Sequence, residues 1–312
     1  MVSLHGKDLL GIRELTKEEI AGILDHAEEM RKIVVSGDKA QNQTLRGKSV
    51  QILFYENSTR TRTSFELAAK YLGASSANIA AAASSVAKGE TLIDTGRNIA
   101  AMGTDAIVMR HPSSGAPWLL AKNVPCPVLN AGDGLNEHPT QALLDMLTIR
   151  RCKGGFEGLK VAIVGDILHS RVARSDLWAL QKLGAKVTFC GLRTLLPRDI
   201  EQVGNLEVTQ DVREALEGAD VVIALRIQLE RQAAGLFPSF GEYARVSGLN
   251  PKNIRLAKKD VIVMHPGPVN RGVELSSALM DSGVSQITGQ VTNGASVRMA
   301  VLDLLINHRE GR

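Results

Sequence analysis

The segment Phe54-Tyr-Glu-Asn-Ser-Thr-Arg-Thr-Arg-Thr-Ser-Phe-Glu66 gathers hydroxyls and guanidiniums directly after a short apolar run, Val50 to Tyr55. Ser58 suits an N-cap, which puts Thr59, Arg60 and Thr61 on a first helical turn. Free backbone N–H groups and the positive end of the helix dipole meet there, so such a turn binds anions. Arg60 adds a fixed cation and the hydroxyls add donors, so a phosphate can be surrounded without a glycine-rich loop or a metal. The plain alternative is a capped helix with solvated arginines. Two arginines so close to a helix start oppose its dipole, which favours the anion site.

Two further segments carry polar chemistry. Met109-Arg-His-Pro112 sets Arg110 at the end of a strand, and Asn130-Ala-Gly-Asp-Gly-Leu-Asn-Glu-His-Pro-Thr-Gln141 follows the next one, Pro127 to Leu129. Both fall where open parallel sheets bind ligands. Pro139 suits the first helical position, making His138 the N-cap and Gln141 a first-turn residue. A lone histidine is more often structural. At a helix N-terminus its protonated form is disfavoured, and it can serve as a neutral donor.

These residues need elements to hold them. Thr16-Lys-Glu-Glu19 is a capping box, and Ile20, Ile23, Leu24, Ala27, Met30 and Val34 recur at helical spacing, predicting a long opening helix. Strand, polar turn and helix then alternate: Val50 to Tyr55 before a helix stopped by Gly73; Ala106 to Met109 before Ala116 to Lys122; Pro127 to Leu129 before a helix from Pro139. Ala74 to Lys88 is biased to Ala and Ser and reads as a strand followed by a mobile loop. After Gly154, Gly155 and Gly158 a second series begins at Leu159 to Val164, with strands near Lys186 to Cys190, Val221 to Leu225 and Val261 to Met264. A last helix, about Ala295 to His308, carries Val297, Ala300, Val301, Leu304 and Leu305 on one face.

Alternation of this kind is α/β: two doubly wound domains, each with a mainly parallel sheet flanked by helices. Its 312 residues suit about two domains of ordinary size. The expected boundaries are 1–145, 146–290, and a C-terminal helix over 291–312 returning to the first domain. Hydrophobic residues at 44% and charged ones at 22% are ordinary globular usage, excluding disorder and coiled coil. A net charge of +4 with no long basic run gives no nucleic-acid or membrane surface. Cys126, Cys152 and Cys190 are dispersed and form no CxxC pair, so neither a disulfide framework nor a zinc site is indicated. Met1 to Leu10 lacks an apolar core of signal length, and no run of about 20 apolar residues occurs. A cytoplasmic protein is expected.

Taken together, the motifs resemble the aspartate/ornithine carbamoyltransferase family over nearly the whole chain. The matching signatures are Ser58-Thr-Arg-Thr-Arg62, Lys88-Gly-Glu90, Arg110-His-Pro112, His138-Pro-Thr-Gln141, Gly165-Asp166 with Arg171, Arg226-Ile-Gln228 and His265-Pro-Gly-Pro268. The resemblance implies that Ser58, Thr59, Arg60, Thr61 and Arg110 hold the phosphate of carbamoyl phosphate. It implies that Thr61, Arg110 and His138 point at the carbonyl oxygen, while Gln141 and the backbone carbonyls of Gly267 and Pro268 accept from the carbamoyl NH2. Arg171 would hold the α-carboxylate of L-aspartate, and Arg226 with Gln228 its β-carboxylate. Ser84 and Lys88 would reach a neighbour's site in a homotrimer with shared active sites. The implied reaction is carbamoyl transfer to aspartate, early in pyrimidine biosynthesis, with no cofactor and no metal. Association with a regulatory chain or with dihydroorotase is left open, and the PVNR segment after the HPxP motif puts any assumed allosteric partner in doubt.

Three competing readings are weaker. Ornithine-specific relatives typically carry HCLP at the position of His265-Pro-Gly-Pro268, and a cationic substrate side chain would be repelled by Arg226. Gly165-Asp-Ile-Leu-His-Ser-Arg171 lacks G-x-G-x-x-G, and no acidic residue ends the next strand near Cys190, against a dinucleotide site. A non-catalytic relative is disfavoured by the full signature set from Ser58 to Pro268. His169, beside Arg171, either lines the amino-acid pocket or sits on the turn. Trp118, Trp178 and the methionines read as packing.

Overall fold

The computed structural model describes residues 4–36, 42–80, 89–228, 236–237 and 239–307. The chain divides into two units, one built from Met1–Leu147 with Thr292–Arg312, the other from Thr148–Val291.

The first unit opens with α1 (Lys17–Ser36). Its capping box forms: Glu19 N–H donates to Thr16 Oγ1 at 3.1 Å and Thr16 N–H to the Glu19 carboxylate at 2.9 Å. There follow β1 (Ser49–Phe54), α2 (Thr59–Tyr71), β2 (Ser75–Ala80), α3 (Leu92–Ala101), β3 (Ala106–His111), α4 (Ala116–Ala121), β4 (Val128–Asp133) and α5 (Pro139–Lys153). The sheet order is β2-β1-β3-β4, with every described pairing parallel. Parallel strands are covered on both faces, which is why they read as near-continuous apolar runs. Leu53, Ile107, Met109 and Val128 pack with Ile99 of α3 and Leu120 of α4. Leu53 is fully buried, a burial that stabilises by about 1.5–3 kcal/mol.

In the second unit come β5 (Lys160–Val164), α6 (Arg171–Lys182), β6 (Lys186–Cys190), β7 (Leu206–Thr209), α7 (Val212–Leu216), β8 (Val221–Ala224), α8 (Phe240–Ser247), β9 (Ile262–Met264) and α9 (Ser277–Met280). The order is β7-β6-β5-β8-β9, again parallel throughout. Val164, Val222 and Val263 face Leu216 and Leu249 in its core. Both sheets bear out the doubly wound α/β class.

The sequence expectations differ from the structure at several ends. β4 runs on to Asp133, because β3 bulges between Met109 and His111 and so keeps pairing past Asn130. The closing helix α10 (Ile287–Asn307) starts eight residues earlier than the apolar stripe suggests. It is also more enclosed than one face requires, since Met299, Leu302 and Ile306 are buried with Val297, Ala300, Val301, Leu304 and Leu305. β7 was not anticipated: Leu206-Glu-Val-Thr209 is a four-residue edge strand with only Leu206 buried. The Ala/Ser-biased segment yields β2 at its start, while residues 81–88, including Ser84 and Lys88, lie outside the described residues. The cysteines are free, with Cys126 and Cys190 buried and Cys152 exposed; burial pushes the Cys190 thiol up to about 12.

Candidate active site

In each unit the described polar residues singled out above follow the C-terminal ends of strands, and the arginines stand on either side of the point where strand order reverses. In the first unit that point lies between β1 and β3. The turn after β1 leads into α2, whose N-cap is Ser58 in an extended conformation (φ −158°). The expected cap position is therefore right, but the Ser58 hydroxyl makes no cap hydrogen bond. Thr59 and Arg60 are exposed on the first turn and Thr61 is buried. An exposed, donor-rich first turn with a cation on it is the anion-binding arrangement.

Arg110, at the end of β3, is half-buried, and its Nε donates to the Glu56 carboxylate at 3.0 Å. The neighbouring His111 ring packs against Tyr55 with centroids 4.7 Å apart. Burial lowers the His111 pKa, although Glu56 and Asp133 pull it the other way.

β4 delivers the third polar segment. Asp133, fully buried, accepts from the backbone N–H of Gly115 at 2.7 Å and of Glu137 at 3.1 Å, and from Asn130 Nδ2 at 2.8 Å and Asn136 Nδ2 at 3.1 Å. One carboxylate thus ties the loop after β3 to the loop after β4. The Glu137 carboxylate accepts from Ile12 N–H at 2.7 Å, fixing the residue beside His138. His138 is buried, and its carbonyl accepts from Gln141 N–H and Ala142 N–H, as an N-cap residue's does. Gln141 Nε2 donates to both oxygens of Asp145 at 3.1 and 3.2 Å. The Gln141 amide nitrogen thus faces this carboxyl group. The Gln141 carbonyl oxygen is left as the group that can accept from a ligand.

In the second unit the order reverses between β5 and β8. Gly165 follows β5 with φ +139°, and a Cβ there would stand 2.6 Å from the Leu225 carbonyl oxygen, so only glycine lets the two strand ends approach. Asp166, fully buried, accepts from Gln228 N–H at 3.3 Å and meets His169 Nδ1 at 2.8 Å. His169 is thereby held on the turn by Asp166. Arg171 is the first residue of α6 and is buried, with Ser170 capping the helix by accepting from Ala173 N–H at 3.1 Å. Arg226 and Gln228, just past β8, are half-buried.

After β9, Gly267 has φ +66°, a left-handed conformation suited to glycine, and its bond to Pro268 is cis. Gly267 N–H donates to His265 Nδ1 at 2.7 Å. The buried pair His265 Nε2 and Glu274 Oε1 stand 3.3 Å apart, and the same Glu274 oxygen accepts from Asn270 N–H at 2.6 Å. Two ends of the Gly267-Pro268 turn are thus tied to one buried pair.

Sequence reasoning did not single out Glu56, Asp133, Asp145 or Glu274. Asp145 had a visible signal, being four residues after Gln141 on a helix, where side chains meet. Glu274 had none, since its partner lies nine residues away across an irregular turn. Among the described residues no group of three or more His, Cys, Asp or Glu could hold a metal ion. No described helix is long and apolar enough to cross a membrane.

A doubly wound pair of parallel sheets with arginine-rich strand ends defines an α/β protein for small anionic ligands. The chain belongs to the aspartate/ornithine carbamoyltransferase family: residues 7–151 match its carbamoyl-P binding domain and residues 157–305 its Asp/Orn binding domain. It is 62% identical over 304 residues to the aspartate carbamoyltransferase catalytic subunit of Ruminiclostridium cellulolyticum, covering 97% of this chain and 96% of that one. The catalytic subunit from Acetivibrio thermocellus is 60% identical, covering 99% and 98%. Among solved structures, aspartate transcarbamoylase from Trypanosoma cruzi in complex with carbamoyl aspartate and phosphate superposes with a TM-score of 0.86 at 31% identity, covering 97% and 98%. Ornithine carbamoyltransferase from Pyrococcus furiosus superposes equally well, at 0.87 and 32%, covering 98% and 99%. The fold is common to both activities, so sequence identity and the second-unit arginines must separate them.

Proposed function

We propose that this chain transfers the carbamoyl group of carbamoyl phosphate to the amine of L-aspartate, giving N-carbamoyl-L-aspartate and phosphate. One observation carries the reading: each sheet has arginine at its own switch point, Arg60 and Arg110 in the first unit, Arg171 and Arg226 in the second. That set suits one phosphate and two carboxylates, and it disfavours a substrate with a cationic side chain. The relatives named aspartate carbamoyltransferase, at about 60% identity, support the same substrate pair.

Carbamoyl phosphate arrives activated, so no protein nucleophile is needed. Ser58, Thr59, Arg60 and Thr61 take the phosphate, joined by Arg110 once it exchanges Glu56 for the ligand. Thr61, Arg110 and His138 donate to the carbonyl oxygen, where negative charge grows as the amine attacks. Gln141 and the carbonyls of Gly267 and Pro268 accept from the NH2 group and orient the plane of attack. The C–N bond forms, the bond from carbon to the phosphate oxygen breaks, and the departing phosphate carries off the amine proton. Arg171 holds the α-carboxylate and Arg226 with Gln228 the β-carboxylate. Ser84 and Lys88 complete the site of a neighbouring chain in a homotrimer. These residue roles, like the trimer, rest on the family resemblance.

The test is product formation by the purified chain with aspartate and ornithine side by side. Carbamoyl aspartate and phosphate in equal amounts are expected. Faster ornithine carbamoylation overturns the amino-acid assignment, and phosphonate binding without turnover on either substrate overturns the enzyme.

A further inference from the structure

Arg298 sits on α10 inside the first unit and is 5% exposed. Its Nη1 donates to Ser64 Oγ at 2.9 Å, and its Cζ lies 5.2 Å from the centre of the Phe65 ring. Ser64 and Phe65 are on α2, one turn beyond Thr61. Burial lowers the Arg298 pKa, and Asp145 of α5, the carboxylate that accepts from the Gln141 amide, opposes that shift. Space for the group is made one turn earlier on α10 by Gly294, where a Cβ would stand 2.7 Å from Nη1. The Arg298 pKa is pushed down to about 10, so the side chain remains charged at neutral pH.

An enclosed cation is costly to desolvate, and an apolar side chain of similar volume commonly serves packing as well or better. The arrangement therefore calls for a role beyond filling the core. Arg298 touches the helix that presents the phosphate turn.

We propose that Arg298 is a positioning residue for carbamoyl transfer: through Ser64 and Phe65 it holds the anion-binding turn of α2. The inference rests on the functional reading above. It assigns no contact between Arg298 and substrate. A misplacement of about 1 Å at a reacting centre costs as much as 10²-fold, so a group behind the site can govern rate.

Arg298→Lys keeps the charge and loses the planar fork, and Ser64→Ala removes only the hydroxyl arm. For a folded Arg298→Lys chain, KM for carbamoyl phosphate is expected to rise about tenfold and kcat to fall about 10- to 100-fold, with KM for aspartate within about twofold. For Ser64→Ala, titration calorimetry with inorganic phosphate should show affinity several-fold weaker than wild type, while kcat at saturation falls less. A role confined to packing would lower the melting temperature and leave this split between substrates absent. Wild-type KM and kcat in folded Arg298→Lys overturn the proposal. If that variant does not fold, unchanged phosphate affinity in Ser64→Ala overturns it alone. Phosphate binding is read without turnover, so a wild-type chain inactive on aspartate would sink the functional reading separately.

Discussion

Arg60 and Arg226 make different demands on the same reaction, and kinetics can separate them. Arg60 is exposed on the first turn of α2, where it would meet charge on the leaving phosphate. Arg60→Ala is expected to lower kcat by at least about 10²-fold, or about 2.7 kcal/mol of transition-state stabilisation; near-normal kcat at saturating substrates refutes the role. Arg226 would meet a carboxylate away from the scissile bond, so Arg226→Ala should raise KM for aspartate far more than KM for carbamoyl phosphate. Equal losses would instead indicate a folding defect. His111 carries a pH signature. Its pKa is lowered in the fold, chiefly by burial, so below the ordinary histidine value the unfolded chain takes up a proton that the native chain resists. Stability is then lost as pH falls from the unfolded pKa, about 6.5, toward the lower folded one, and is unaffected above it. His111→Gln should flatten the fall in melting temperature across that window; an unchanged slope removes His111 from the account.

The loops between elements depend on buried carboxylates. Asp133 collects backbone and side-chain donors from both loops that precede α4 and α5. In Asp133→Ala those donors lose their acceptor, each at about 1–3 kcal/mol if it stays buried. The expected result is a loss of at least about 3 kcal/mol in the urea transition, together with weaker phosphate binding as the approach to His138 loosens. A midpoint shifted by only a few tenths of a molar would show that water replaces the carboxylate. The same scale explains what the sequence disclosed. Positions such as Ser58, Arg110 and His138 were legible because a residue's place at a helix start or strand end follows from local pattern, whereas Arg171 came only with the family resemblance. Their supports were less so: the ion pair of Glu56 with Arg110 and the close approach of His265 and Glu274 join residues through tertiary structure, which no periodicity encodes. Edge strand β7 was missed because its alternation, Leu206-Glu-Val-Thr209, spans only four residues with Leu206 alone buried, too short a stretch to stand out from its surroundings. The far end of β4 was missed because Asn130 and Asp133 are polar yet fully buried, with Asn130 Nδ2 donating to Asp133 at 2.8 Å.

For the whole molecule, the decisive question is whether one chain holds a complete site. The family resemblance assigns Ser84 and Lys88 to a neighbour's site, while Arg60 serves its own chain's site in a homotrimer. Lys88→Ala and Arg60→Ala should then each be inactive alone, yet recover activity when the two are dissociated and reassociated together. In a cyclic trimer every site pairs one chain's Arg60 with the next chain's Lys88. A trimer mixing both variants has one site with both residues intact, one carrying both defects and one carrying a single defect. Random reassociation at equal concentrations makes about three quarters of trimers mixed, so about a quarter of all sites become native. Recovery near that fraction, falling as either variant is put in excess, establishes a shared site. If hybrids form, as shown by their separation on a charge-tagged column, and no activity returns, Lys88 acts within its own chain and the shared site is wrong.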